Sequence, residues 1–183
     1  MKPIPFPLAL NIGTDIVHLP RITRLLQRTN YLTRFTRRIL SDQEQLDFQT
    51  RFKDTLTLYP NRHASPSLPP FTPIITPDMT RWLAGRFAAK EAARKAAPGG
   101  AAALGWKDVV VRVPGDSEMD NATVLDMGNS LGGNGVLAAA QEGTSRRPEI
   151  VFLGGGEGRP DRLGQLSISH DGEYVVATVL AAG

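Results

Sequence analysis

The chain has 183 residues, 41% of them hydrophobic, which suffices for one domain with a packed core. It has no cysteine, which excludes disulfides, thiolate metal sites and a cysteine nucleophile, and its three histidines (His18, His63, His170) are too widely spaced to suggest a zinc site. The net charge of +3 is unevenly placed: residues 1–100 carry 15 Lys and Arg against 7 Asp and Glu, and the remainder carries 6 against 11.

Met1–Pro7 holds three prolines and does not read as a signal peptide. Residues 8–13 read as a short apolar strand ending at an acid, Asp15, which together with Thr14 is a candidate cap for a helix near 19–28 with Pro20 in its first turn. A second helix is expected near 31–38. A third is expected over 42–52, opened by Ser41-Asp-Gln-Glu44 in the manner of a capping box. Leu58–Pro77, with six prolines, excludes a regular helix or central strand.

Residues 78–97 read as one long helix that stops before Pro98-Gly99-Gly100. Trp82, Leu83 and Phe87 recur at helical spacing and can pack inward. Arg86, Lys90 and Arg94 follow at four-residue steps, and Glu91 precedes Lys95 by four. Taken alone, this pattern also fits a solvated helix face carrying a Glu91–Lys95 pair. Val109–Val113, Glu149–Leu153, Gln165–Ser169 and Tyr174–Leu180 read as strands, with His170 at the end of the third. Helices first and strands later imply an α+β fold with an antiparallel or mixed sheet. No run is long and apolar enough to span a membrane, so no membrane partner is expected.

The segments Gly13-Thr14-Asp15-Ile16-Val17 with Arg21-Ile22, Arg34-Phe35 through Arg38-Ile39-Leu40, Phe87-Ala88-Ala89-Lys90-Glu91 with Lys95, and Ser167-Ile168-Ser169-His170 together resemble the holo-acyl carrier protein synthase family, the small trimeric class of 4′-phosphopantetheinyl transferases. The likeness covers residues 8–48, 80–113 and 149–181 of a single domain. It leaves 49–79 and about 115–147 as expected loop insertions.

The resemblance implies magnesium-dependent transfer of 4′-phosphopantetheine from coenzyme A to a serine of an apo acyl carrier protein, in a homotrimer with sites between subunits. By this likeness Asp15 and Glu91 hold the metal, and Lys95 faces the pyrophosphate. His170 and Ser167 bind or orient coenzyme A, and His170 belongs with the catalytic set. Arg86 and Lys90 are candidates for the nucleotide phosphates, with Gly99 and Gly100 offering backbone amides. The family's Gly-hydroxyl-Gly turn is Pro98-Gly99-Gly100 here. Pro77 and Asp78 stand where relatives carry basic residues, for which Arg51, Lys53, Arg62 or Arg81 are possible substitutes.

The Pro20–Arg38 stretch, rich in arginine, suits an acidic protein partner, and by resemblance Arg21, Ile22, Arg34, Phe35 and Arg38 dock the carrier. Nucleic acid is not expected, because no aromatic-studded strand or basic tail accompanies the charge. Two other functions compete: a coenzyme A-binding regulator without transfer, and a basic adaptor that catalyses nothing. Insertions on a compact bacterial-type core suggest a mitochondrial relative, with the cytoplasm as the alternative, since no arginine-rich presequence is visible before Leu8.

Overall fold

The structure is a computed structural model that describes residues 8–57, 74–113, 147–154, 158 and 160–183. The elements follow in the order β1 (Leu10–His18), α1 (Leu19–Leu26), α2 (Tyr31–Ile39), α3 (Asp42–Arg51), α4 (Lys53–Thr57), α5 (Pro77–Ala96), β2 (Val109–Arg112), β3 (Glu149–Phe152), β4 (Arg162–Asp171) and β5 (Tyr174–Ala182). The five strands form one sheet in the order β1-β5-β4-β3-β2, with every neighbouring pair antiparallel. The fold is α+β, as expected.

Several boundaries differ from the sequence reading. β1 runs on through Asp15 to His18, so the acid lies inside the strand, and His18 rather than Thr14 or Asp15 is the N-cap of α1. β4 likewise continues past His170 to Asp171. Cross-strand pairing with β5 explains both, because Asp15 faces Ala177 and His170 faces Val175 in an unbroken register. Of the expected insertions, residues 49–57 complete α3 and form α4, and 74–79 lead into α5. Residues 58–73, with Arg62 and His63, and 115–146 lie outside the described residues.

Helix α5 is the axis of the molecule. Thr76 caps it by accepting from the Met79 amide at 3.2 Å, and Pro77 takes the first turn, where its missing N–H costs nothing. Its alanines 84, 88, 89, 92, 93 and 96 are all buried, which lets the sheet approach closely. Val17, Leu166, Val175, Ala177, Val179 and Ala181 meet it from the sheet. From the other side come Ile22 and Leu26 of α1, Phe35 and Ile39 of α2, and Phe48 of α3. Two aromatic groups join these helices to α5: Phe48, Phe52 and Trp82 in one, Phe35, Phe87 and Trp106 in the other.

One buried ion pair ties these layers together. Lys90, with no exposed surface, donates to Glu44 Oε2 at 2.6 Å, to the Ile39 carbonyl at 2.8 Å and to the Trp106 carbonyl at 3.0 Å. Glu44 closes the expected capping box with Ser41 through Oε2, and its Oε1 accepts from the Val111 amide at 3.1 Å. Burial pulls the Lys90 ammonium below the ordinary lysine range. The Glu44 carboxylate opposes that shift, while Arg86 and Lys107 add to it.

Every proton of this ammonium has a partner, so its loss leaves Glu44 charged and buried. Lys90→Met is expected to destabilise the fold by about 3–5 kcal/mol, the range for breaking a buried pair by removing one partner. Denaturant unfolding of the two proteins checks this, and a loss below about 1 kcal/mol would show that the pair is not what holds the helices to α5.

Candidate active site

The approach of β1 to α5 builds the first part of the site. A Cβ on Gly13 would stand 2.0 Å from the Ala92 carbonyl oxygen and 2.7 Å from the Ala96 nitrogen, so only glycine lets strand and helix backbones touch there. Alternation along β1 then turns Asp15 to the same helix-covered face as Gly13 and Val17. Asp15 Oδ1 accepts from Lys95 Nζ at 2.8 Å, and the same ammonium donates to the Thr14 carbonyl at 2.9 Å.

Glu91 lies one helical turn before Lys95, yet its partner is Arg94, whose Nη1 donates to Glu91 Oε1 at 2.8 Å. The i,i+4 pair read from the sequence is therefore replaced by two others: Asp15–Lys95 across the strand–helix crossing, and Glu91–Arg94 along the helix. Two ion pairs thus form on the last turns of α5, one along the helix and one with β1. Arg94 also donates from Nε to the Leu104 carbonyl at 2.9 Å and from Nη2 to the Ala101 carbonyl at 2.7 Å, with its guanidinium 4.8 Å from the Trp106 ring centre.

Among the described residues no three His, Asp or Glu side chains converge on one point, and the carboxylates of Asp15 and Glu91 are the expected donors to a cation. That donor set suits a hard ion that keeps water and substrate phosphate in its shell, as magnesium does, and not an all-protein cage. Each carboxylate has one oxygen engaged by a cationic side chain and a second oxygen to offer.

Two of the expected binding residues, Lys90 and Gly100, are corrected by their surroundings. Lys90 is spent on Glu44 and two carbonyls in the core and cannot meet a phosphate. Gly100, at φ +70°, uses its amide in a turn to the Ala97 carbonyl at 2.8 Å, which removes it as an anion donor. Ser167 sits on the sheet face away from α5, opposite Thr178, because strand alternation separates it from His170.

His170 is on the α5 side, 4.0 Å from where a Cβ on Gly85 would stand. It lines a cavity of about 310 Å³ with Arg51, Asp78, Arg81, Trp82 and Arg86. The Arg86 guanidinium carbon lies 3.4 Å from the centre of the Trp82 ring, a cation–π contact at the cavity wall. Of the substitutes expected from the sequence, Arg51 and Arg81 line this cavity, and Arg62 lies outside the described residues. His170 and Asp15 are nevertheless at opposite ends of α5: Gly85 and Lys95 are ten residues apart, roughly 15 Å of helix.

On the arginine-rich helices Arg21, Arg34 and Arg38 are exposed, whereas Ile22 and Phe35 belong to the core. These two cannot be docking contacts as expected, since the amphipathic pattern of α1 and α2 turns them toward α5.

A model of the 4′-phosphopantetheinyl transferase superfamily matches residues 11–124. The chain is 55% identical over 186 residues, the whole of both chains, to a protein of Aspergillus fumigatus named 4′-phosphopantetheinyl transferase B, mitochondrial. It is 31% identical over 173 residues to a holo-[acyl-carrier-protein] synthase of Gloeobacter violaceus, covering 94% of this chain and 92% of the other. Its fold is similar to the holo-[acyl-carrier-protein] synthase of Neisseria meningitidis, with a TM-score of 0.52 at 22% identity over 94% of this chain and 98% of the other. With the family model spanning most of the chain and a relative aligned end to end, this chain belongs to the 4′-phosphopantetheinyl transferase superfamily.

Proposed function

We propose that this chain transfers the 4′-phosphopantetheine group of coenzyme A to a serine hydroxyl of an apo acyl carrier protein, releasing adenosine 3′,5′-bisphosphate. The observation that carries this reading is the Asp15–Lys95 ion pair at the β1–α5 crossing, one helical turn along α5 from Glu91, in a chain of this superfamily. Asp15 and Glu91 would hold magnesium. When bound, that ion withdraws charge from the phosphorus under attack. Lys95, on a flexible stem and half exposed, stands beside the same carboxylates and supplies positive charge to the departing phosphate oxygen.

In the reaction the serine oxygen bonds to the phosphorus that carries pantetheine, and the bridging P–O bond of the pyrophosphate breaks. A carboxylate of the pair, or water held beside it, takes the serine proton, and the bisphosphate leaves. Arg81, Arg86, Arg51 and His170 line a cationic cavity fit for the nucleotide phosphates. The exposed arginines 21, 34 and 38 face an acidic carrier protein, and the likeness to the Aspergillus fumigatus transferase supports a mitochondrial setting.

A homotrimer fits the sheet. Its face away from α5 exposes Leu10, Ile12, Ile16, Leu163, Tyr174 and Leu180, with Ile12 70% exposed, and such an apolar surface calls for a second copy of the chain. By resemblance the sites of such a trimer lie between subunits, so that a His170 cavity and an Asp15 end would come from two chains.

Incubation with magnesium, coenzyme A and an apo carrier, followed by weighing of the carrier, tests the activity; an unmodified carrier overturns it. Asp15→Ala and Glu91→Ala are expected to abolish transfer with little change in melting temperature, because their partners are at least partly exposed. Lys95→Met, which keeps the aliphatic stem, should lower turnover more than coenzyme A affinity. An unchanged single-turnover rate would remove Lys95 from the mechanism.

Arg21→Glu is expected to raise the Michaelis constant for the carrier severalfold and to leave that for coenzyme A unchanged, as added salt should also do. Steady-state kinetics with each substrate varied checks this, and an effect confined to coenzyme A would place Arg21 in the nucleotide site.

Mixing two inactive variants, Asp15→Ala and His170→Ala, should restore part of the activity once subunits exchange, because some sites then receive an intact half from each chain. If the mixture stays inactive while labelled subunits are seen to exchange, the site lies within one chain.

A further inference from the structure

We propose that Arg94 is a positioning residue of the transfer reaction: it locks the turn after α5 onto Glu91, so that the metal-ligand carboxylate and the backbone facing the pyrophosphate move as one unit. The inference rests on the function proposed above for Glu91 and on the expectation from sequence that the Gly99 amide faces the anion. Its basis is the way one guanidinium divides its donors. Nη1 holds Glu91 Oε1 at 2.8 Å, Nη2 holds the Ala101 carbonyl at 2.7 Å, and Nε holds the Leu104 carbonyl at 2.9 Å. The Trp106 ring lies 4.8 Å from its centre and closes the remaining face.

Residues 97–106 form neither helix nor strand, and their own backbone bonds are two short-range turns, Gly100 to Ala97 at 2.8 Å and Ala103 to Gly100 at 3.1 Å. Such a segment takes its place from what it is tied to. Lys90 holds its far end at the Trp106 carbonyl, and Arg94 holds its middle. Of these two cations only Arg94 also touches Glu91, whose terminal torsion is otherwise broad and two-fold. By engaging Oε1, Arg94 leaves Oε2 as the oxygen that meets a cation. The planar guanidinium, with donors in three directions, is suited to this, and a lysine ammonium at the same place cannot reach three acceptors so spread.

The test measures binding as well as turnover. Arg94→Lys and Arg94→Gln are expected to weaken coenzyme A affinity by calorimetry about tenfold, the scale of one lost charge-assisted hydrogen bond, and to raise the magnesium concentration for half-maximal transfer. The Michaelis constant for the carrier should stay within about twofold. Millimolar guanidinium should recover part of the affinity in Arg94→Ala and none in Arg94→Lys. A purely structural residue would lower the melting temperature and leave coenzyme A affinity and magnesium dependence at wild-type values well below melting, and that result overturns the proposal.

If the wild-type chain binds coenzyme A but transfers nothing, the function above falls while the affinity of the Arg94 variants still decides whether the turn is held in this way. Should no variant fold, hydrogen exchange on the wild-type protein decides. Amides of residues 97–106 are expected to gain protection when magnesium and coenzyme A are added together, and unchanged protection overturns the proposal.

Discussion

The Lys90–Glu44 pair is the constraint on which the rest of the structure depends. An ammonium with no access to water sits on the middle of α5, and it survives there because a carboxylate and two carbonyls satisfy it. Those partners come from the start of α3, the end of α2 and the segment before β2. The pair therefore sets the rotation of α5 about its own axis. A helix turned by one residue, about 100°, would carry Glu91 and Lys95 away from β1. Apolar packing alone is permissive about such rotation on a helix whose buried surface is mostly alanine, and the ion pair with its directional bonds is not.

With that rotation set, the strand completes the site. β1 can cross α5 in backbone contact because Gly13 has no side chain, and two residues later the pleat returns to the helix with Asp15. The result is a charge-balanced cluster: Asp15 with Lys95, and Glu91 with Arg94. Balance matters for what the cluster can accept. Under the proposed function, a divalent cation by itself would leave excess positive charge, and a pyrophosphate arriving with it would cancel that excess.

The other end of α5 carries a different chemistry. Trp82 packs on Phe48 and Phe52 and supports Arg86 on its ring, turning part of the aromatic core into a platform for a cation. Arg51, Arg81 and His170 line the same cavity. One helix thus presents a charge-balanced cluster toward its C-terminal end and an arginine-lined cavity toward its N-terminal half, roughly 15 Å apart.

Local rules made much of this legible in the amino-acid order. Helix α5, its stop before Pro98, the Ser41–Glu44 capping box and the strands of the C-terminal half follow from periodicity, capping and breaker residues, and the family follows from four short segments in order. Tertiary structure alone decided which charges are partners. Lys90 and Lys95 are both lysines on one helix, yet the first is buried against Glu44, 46 residues away, and the second reaches Asp15, 80 residues away. Ile22 and Phe35, legible as docking contacts by resemblance, are core residues once α1 and α2 are laid on α5. Ser167 and His170, three apart, fall on opposite sheet faces because β4 does not end between them. The sequence by itself determined the elements and the kind of chemistry they can mount, since propensity and hydrophobic period act over a few residues. Which side chain meets which was left to the packing of sheet on helix, because burial and pairing depend on contacts between segments far apart in the chain.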